Sequence, residues 1–264
     1  MEWSLRMWLL IGDFFVVENL RIGCGTVACF LFWSVDSTNK VARRFLEESV
    51  RPPFCVLAAT QTAGRGRFDR RWESPSYGGI YLSYVCRADF EKPQLVTFAV
   101  ALAVKDTVLH FAPNADLRVR YPNDVLVNGK KISGILAELI KKGLIIGVGL
   151  NQRQDALPAE LKGDATALDS LGVQPSRYSL VRTLVENIDE RLRRLASGGA
   201  NEIIKEVERS GAVGCRVKVI EMSGEMVCGI AEKLDEDGAL VVRTDDGKIH
   251  SIVAADVRFL RLKE

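Results

Sequence analysis

Histidine is almost missing from this chain of 264 residues: only His110 and His250 occur, each in an apolar or strand-like context. Ser-His or Cys-His nucleophilic catalysis therefore has almost no candidates. The six cysteines lie far apart with no Cys-x-x-Cys pair, which argues against a zinc knuckle or a disulfide framework and for reduced thiols in a cytoplasm. Long apolar runs are lacking too. The stretches 7–12 and 27–33 are strongly apolar, but Asp13, Glu18 and Arg21 interrupt them, and a bilayer span needs about 20 such residues. The Met-Glu-Trp start has no basic region of a secretory signal. Nor is there an excess of one charge. A net charge of +2 excludes the broad positive field of a nucleic-acid-coating protein. The 47% hydrophobic and 27% charged fractions leave an ordinary folded, soluble protein with room for one sizeable core and a small second domain.

Charge is instead concentrated locally. Gln61 to Trp72 packs Arg65, Arg67, Arg70 and Arg71 around Gly64 and Gly66. Glycine lets the backbone approach a ligand closely, and guanidinium forks suit phosphate or carboxylate oxygens. Asp69 stands where a dinucleotide fingerprint needs glycine, and no Gly-Lys-Ser/Thr ending of a P-loop follows. Taken alone, the stretch reads equally as a phosphate grip, a solvated basic loop or a nucleic-acid-binding segment.

The flanking patterns describe an α+β layer. Phe30 to Ser34 read as a buried strand, and the polar cluster Asp36-Ser37-Thr38-Asn39 caps a helix with Val41, Ala42, Phe45 and Leu46 at helical spacing. Strands at Cys55–Thr60 and Ile80–Val85 bracket the arginine loop, and Leu95–Leu109 read as an apolar helix packed on the sheet. A strand begins at Arg118–Tyr121, and Asn128-Gly129 marks a hairpin between Val125 and Ile132. Lys131 then lies within an otherwise apolar strand, where it acts either as a sheet-edge charge or as a functional cation. Ile145–Asn151 is a further strand, whose Gly147 and Gly149 admit close approach by a ligand or another backbone. Two amphipathic helices, Ser179–Leu195 and Asn201–Arg209, follow. Beyond Gly211, short strands at 216–221, 225–234, 239–244 and 248–253 alternate with Asp/Gly turns, the pattern of a small β-barrel. The expected division is an N-terminal extension over 1–26 assigned no order, a catalytic domain over 27–211 and a C-terminal domain over 212–264. A misassigned start codon is the alternative account of the extension.

Four ordered segments together resemble the biotin protein ligase family: Asp36-Ser37-Thr38-Asn39; Gly64-Arg65-Gly66-Arg67 with Trp72; Tyr121-Pro122-Asn123-Asp124 with Lys131-Ile132-Ser133-Gly134-Ile135-Leu136; and Ile146-Gly147-Val148-Gly149-Leu150-Asn151. The resemblance covers about residues 30 to 262. It implies a mixed sheet packed with helices, like the catalytic domain of class II aminoacyl-tRNA synthetases, followed by an SH3-like barrel. It also implies an ATP-dependent ligase that forms biotinyl-5′-AMP and passes biotin to a lysine of a biotin carboxyl carrier protein, with Mg²⁺ as activating ion.

By the same resemblance, Ser37, Thr38, Asn39, Gln61, Gly64, Arg65, Arg67, Lys131 and Gly134 bind biotin. Arg67, Arg70, Trp72, Asn123, Asp124, Lys131 and Asn151 face the nucleotide. Lys131, Arg67 and Asp124 are the expected catalytic residues, with Asp124 also the candidate Mg²⁺ ligand. Phe68 stands where several relatives carry a basic residue, which removes one phosphate contact. The extension is too short for the winged helix-turn-helix of bifunctional relatives, so neither DNA nor a membrane is an expected partner. Homodimerisation through sheet edges is a further expectation. The competing assignments are a lipoate or octanoate ligase of the same fold, although no histidine lies near Gly78-Gly79, and a biotin-sensing binding module without ligation.

Overall fold

A computed structural model describes residues 14–22, 25–221, 226–253 and 255–259; the apolar run at 7–12 lies outside them. In chain order the strands and helices are β1 (Phe14–Ile22), β2 (Gly25–Val35), α1 (Thr38–Glu47), β3 (Phe54–Gln61), β4 (Gly79–Cys86), α2 (Val96–Phe111), β5 (Leu117–Arg120), β6 (Asp124–Val127), β7 (Lys130–Ile140) and β8 (Gly143–Asn151). They continue with α3 (Arg177–Ala196), α4 (Ala200–Val207), β9 (Arg216–Glu221), β10 (Met226–Leu234), β11 (Leu240–Thr244), β12 (Ile249–Ile252) and β13 (Ala255–Phe259). The chain divides into two compact units, Met1–Ala88 with Ile132–Glu186, and Asp89–Lys131 with Asn187–Glu264.

The first unit is built on strands in the order β1-β2-β3-β4-β8-β7. β2 and β3 run parallel while the other neighbours are antiparallel, so the sheet is mixed. Val41, Ala42, Phe45 and Leu46 form one buried face of α1, and that face meets Phe30, Phe32, Phe54 and Val56 from alternate positions of β2 and β3. Phe45 and Phe54 both stand edge-on to Phe30, with ring centroids 4.8 and 5.8 Å away. Burying each such ring contributes roughly 1.5–3 kcal/mol. β1 was not foreseen as a strand; it pairs antiparallel with β2 from Phe14 to Ile22.

One expectation about α1 needs correcting. Ser37 occupies the N-cap position in extended conformation, yet makes no side-chain cap hydrogen bond. The Ser37 N–H is instead taken by Asp36 Oδ1 at 2.7 Å.

In the second unit, α2 buries Val96, Phe98 to Val104 and Val108 and packs on α4, β5 and β6. With the turn before it, Pro93–Phe111 is long and apolar enough to cross a membrane, but most of that stretch is buried inside the protein, as in a core helix. Asn128 and Gly129 both adopt positive φ, 48° and 76°, which is what a two-residue type I′ hairpin turn requires. The five C-terminal strands form a separate antiparallel sheet in the order β12-β11-β10-β9-β13; β13 was not anticipated. The Tyr121 hydroxyl lies 2.7 Å from the Ile252 carbonyl oxygen and 2.9 Å from that of Val253. That contact ties the segment just before β6 to this sheet. Gly238, at φ +82°, faces Leu95, where a Cβ would come within 2.5 Å of Leu95 Cδ2.

Candidate functional site

In the first unit, three of the expected biotin residues, Thr38, Asn39 and Gln61, join one hydrogen-bonded cluster beside α1. Thr38 donates its N–H to Gln61 Oε1 at 2.9 Å, and its hydroxyl lies 3.1 Å from the same oxygen. Ser83, fully buried on β4, places its Oγ 2.8 Å from Thr38 Oγ1 and 2.5 Å from Asn39 Oδ1. Gln61 Nε2 in turn donates to Ser74 Oγ at 2.9 Å, and Ser74 Oγ donates to the Trp72 carbonyl at 3.2 Å. Glu138 on β7 accepts from Asn39 Nδ2 at 2.8 Å. Thr38 and Asn39 thus spend their side chains on β3, β4 and β7 rather than on the first turn of α1. Burial of so many polar groups is tolerable because each finds a partner.

The arginine stretch leaves β3 at Gln61 and folds back on itself. Trp72 N–H donates to the Gly64 carbonyl, Gly66 N–H to the Arg70 carbonyl, and Arg65 pairs with Arg71 as an isolated antiparallel bridge. Gly64 is a steric necessity here, since a Cβ would lie 2.4 Å from the Trp72 carbonyl oxygen and 2.8 Å from Ser74 Oγ. The tip is Phe68, exposed and at φ 55°, with the Arg67 guanidinium 4.8 Å from its ring centre. A bulky residue in the left-handed region is strained, and such strain collects at functional loops. Arg65 pairs with Glu138 at 3.7 Å, Arg71 pairs with Glu73 at 3.2 Å, and Arg70 is exposed.

Gly147 and Gly149 of β8 each lie against a side chain from elsewhere in the first unit. Gly149 seats the indole of Trp72, and a Cβ there would fall 2.2 Å from Trp72 Cε2. Gly147 seats the amide of Asn39, with a Cβ 2.5 Å from Asn39 Oδ1. Gly134 is the register partner of Gly149 on β7. Asn151 donates Nδ2 to the Thr166 carbonyl at 3.0 Å, so at least one of its amide hydrogens anchors the loop that follows β8.

In the second unit, Asp124 collects two cations. Lys131 Nζ lies 2.6 Å from one carboxylate oxygen and an Arg120 nitrogen 2.5 Å from the other. Asp124 is buried, and Asn123 precedes it. Both carboxylate oxygens are thus engaged, and no cluster of three or more His, Cys, Asp or Glu side chains suited to a metal exists among the described residues. The donor set does not fit a protein-held Mg²⁺ at Asp124 as it stands.

A sizeable cavity of the first unit lies elsewhere. Its volume is about 260 Å³, and Leu20, Leu31, Trp33, Leu57, Tyr77 and Arg177 are among its walls. None of the expected site residues lines it. Burial pushes the Arg177 guanidinium pKa down, partly offset by Tyr81, while its two N–H₂ groups donate to the Gly79 and Ala58 carbonyls at 2.7 and 2.9 Å.

Residues 31–151 match the Biotin/lipoate A/B protein ligase family, and 213–260 match the Biotin protein ligase C terminal domain. The biotin–[acetyl-CoA-carboxylase] ligase of Mycobacterium tuberculosis is 35% identical over 212 residues, which span 78% of this chain and 79% of that one. The chain belongs to the biotin protein ligase family. A second relative, the biotin–[acetyl-CoA-carboxylase] ligase of Paracoccus denitrificans, is 31% identical over 85% of this chain and 97% of its own. Among solved structures, the biotin protein ligase from Aquifex aeolicus in complex with biotin and ATP is similar with a TM-score of 0.78 and 29% identity, over 89% of this chain and 99% of that one.

Several residues of this ligase's cluster escaped sequence reasoning. Ser83 and Ser74 are isolated serines with no motif around them. Glu138 sits in the run Leu136-Ala137-Glu138-Leu139, where alternation alone gave it no partner. The signal that was available was the unusual polarity of Ser83 and Glu138 at inward positions of otherwise apolar strands.

Proposed function

We propose that this protein is an ATP-dependent biotin protein ligase that condenses biotin with ATP to biotinyl-5′-AMP and pyrophosphate, then transfers biotin to a specific lysine of a biotin carboxyl carrier protein. The observation that carries this proposal is the pairing, on one sheet face, of the neutral cluster Thr38–Asn39–Gln61–Ser83 with the folded arginine loop. A ureido ring is neutral and presents both donors and an acceptor, which hydroxyls and amides match. A carboxylate and a phosphate are anions that must meet, which fixed cations favour in the transition state.

The roles follow from that chemistry. Ser37, Thr38, Asn39, Gln61 and Gly64 hold the biotin head group, with Arg65 and the Gly134 backbone beside it. Arg67 and Lys131 stabilise charge on the carboxylate and α-phosphate as the new P–O bond forms and pyrophosphate leaves. Trp72 covers the adenine, Arg70 and Asn123 contact the nucleotide, and Asn151 is a secondary contact. Asp124 orients Lys131 and, after adenylation, the incoming lysine amine. Mg²⁺ carried in with ATP would supply charge neutralisation on the triphosphate, alongside the fixed cations Arg67 and Lys131. The loop from Gly64 to Trp72 acts as a lid over the adenylate.

The finer expectations are part of the same proposal. They are a class II aminoacyl-tRNA synthetase-like catalytic domain over 27–211, an SH3-like domain over 212–264, a cytoplasmic enzyme, homodimerisation through sheet edges and no nucleic-acid partner. The deciding experiment is ATP–pyrophosphate exchange with the acid varied. Exchange that depends on biotin supports the proposal, whereas exchange with octanoate or lipoate but not biotin would favour the alternative ligase.

A further inference from the structure

Asn39 is held from three sides. Its amide lies flat on β8 where Gly147 has no side chain, its oxygen receives Ser83 at 2.5 Å, and its nitrogen donates to Glu138 Oε2 at 2.8 Å. The other carboxylate oxygen of Glu138 faces two guanidinium groups, Arg43 at 3.5 Å and Arg65 at 3.7 Å. The Glu138 side chain is only 19% exposed, while both arginines are at least 40% exposed. A carboxylate accepts hydrogen bonds and cannot donate when ionised. It therefore fixes which end of the Asn39 amide is nitrogen, an orientation that a neutral amide partner would leave free to reverse.

We infer that Glu138 is a positioning residue for the head group of the substrate acid, acting through Asn39 and restraining Arg65. The inference rests on the assignment of Asn39 to biotin. With one N–H given to Glu138 and one oxygen lone pair to Ser83, the Asn39 amide keeps one N–H and one lone pair for a ligand. A ureido group, with N–H donors beside a carbonyl, needs that combination. Glu138 touches no reacting atom in this scheme, so it governs substrate binding and leaves the chemical step alone. A plain surface ion pair with Arg43 or Arg65 would leave substrate binding unchanged, because exposed pairs of this kind contribute little.

The test uses full-length enzyme in biotin-dependent ATP–pyrophosphate exchange, together with biotin binding measured calorimetrically without ATP. Glu138→Gln is expected to raise the KM and Kd for biotin about tenfold or more, to leave kcat and the KM for ATP within about twofold, and to leave the thermal unfolding midpoint close to that of the parent. Glu138→Asp, which keeps the charge, should recover part of the affinity. In an Asn39→Ala background, Glu138→Gln should weaken biotin binding little further, since its partner is already gone. Unchanged biotin affinity in Glu138→Gln, a loss confined to kcat, or full additivity with Asn39→Ala would each overturn the inference. Failure of the parent enzyme to bind biotin at all would instead refute the function on which it rests, so the two failures are distinguishable.

Discussion

Gly149→Ala is the sharpest perturbation of the nucleotide side of the site. The added Cβ would stand 2.2 Å from Trp72 Cε2 and 2.5 Å from both Cζ2 and Nε1, against about 3.5–4.0 Å for carbon atoms in ordinary contact. The indole must therefore retreat by more than an ångström or swing away. It cannot be the strand that yields, because Gly149 is locked in register between Tyr81 and Gly134. If Trp72 covers adenine, losing that platform costs about 1–3 kcal/mol of base stacking. That corresponds to roughly a 5- to 150-fold rise in the KM for ATP at about 1.4 kcal/mol per decade. Exchange kinetics with ATP and biotin varied separately give the result, and the KM for biotin should move much less. The reasoning also fixes a double-mutant outcome: in a Trp72→Ala background, Gly149→Ala should add almost nothing, because the clash has no object. An unchanged KM for ATP in Gly149→Ala, or full additivity with Trp72→Ala, would refute the assignment of Trp72 to the nucleotide.

Other outcomes follow from the same structure. Lys131→Ala should abolish adenylate formation with the circular dichroism spectrum unchanged, and near-normal exchange would reduce Lys131 to a sheet-edge charge held by Asp124. Arg67→Ala should speed the release of biotinyl-5′-AMP in a chase experiment, whereas an unchanged rate would remove Arg67 from the phosphate contact. Tyr121→Phe leaves the Ile252 and Val253 carbonyls without their hydroxyl, and urea unfolding should show a loss of about 1–3 kcal/mol. The Cys55 thiol, hydrogen-bonded to Cys29 and buried, has its pKa raised, and burial raises that of Tyr81 as well. Both groups are then neutral in the folded state where the unfolded chain has begun to ionise. The Cys55 contribution is complete below the unfolded thiol value of roughly 8.5 and is lost as pH climbs above it, and that of Tyr81 is lost only above roughly pH 10; Cys55→Ala should flatten the fall in stability between about pH 8.5 and about pH 10.

Much of this architecture is written locally in the chain. The short apolar runs of β3, β4 and β8, the helical spacing of Val41, Ala42, Phe45 and Leu46, and the Asn128-Gly129 turn each depend on neighbours a few residues away, so a linear reading finds them. β1 and β13 were missed because their pairing with β2 and β9 is set by partners in space. The same distinction separates the site residues. Gly147 and Gly149 announced that something approaches β8, but only the folded chain shows that the visitors are the side chains of Asn39 and Trp72. Ser37 looked like a cap from its position in sequence. Its turn is instead organised by Gln61, Ser83 and Glu138, from β3, β4 and β7, at separations of up to 99 residues.

The central claim is that the neutral cluster and the arginine loop serve biotin activation, and transfer to an acceptor tests it most directly. Purified enzyme incubated with ATP, Mg²⁺, a biotin carboxyl carrier domain and either biotin or octanoate should yield a carrier biotinylated on one lysine, as read by intact-mass spectrometry and peptide mapping. A carrier modified by octanoate alone, or left unmodified by biotin while the enzyme remains folded, would contradict the account.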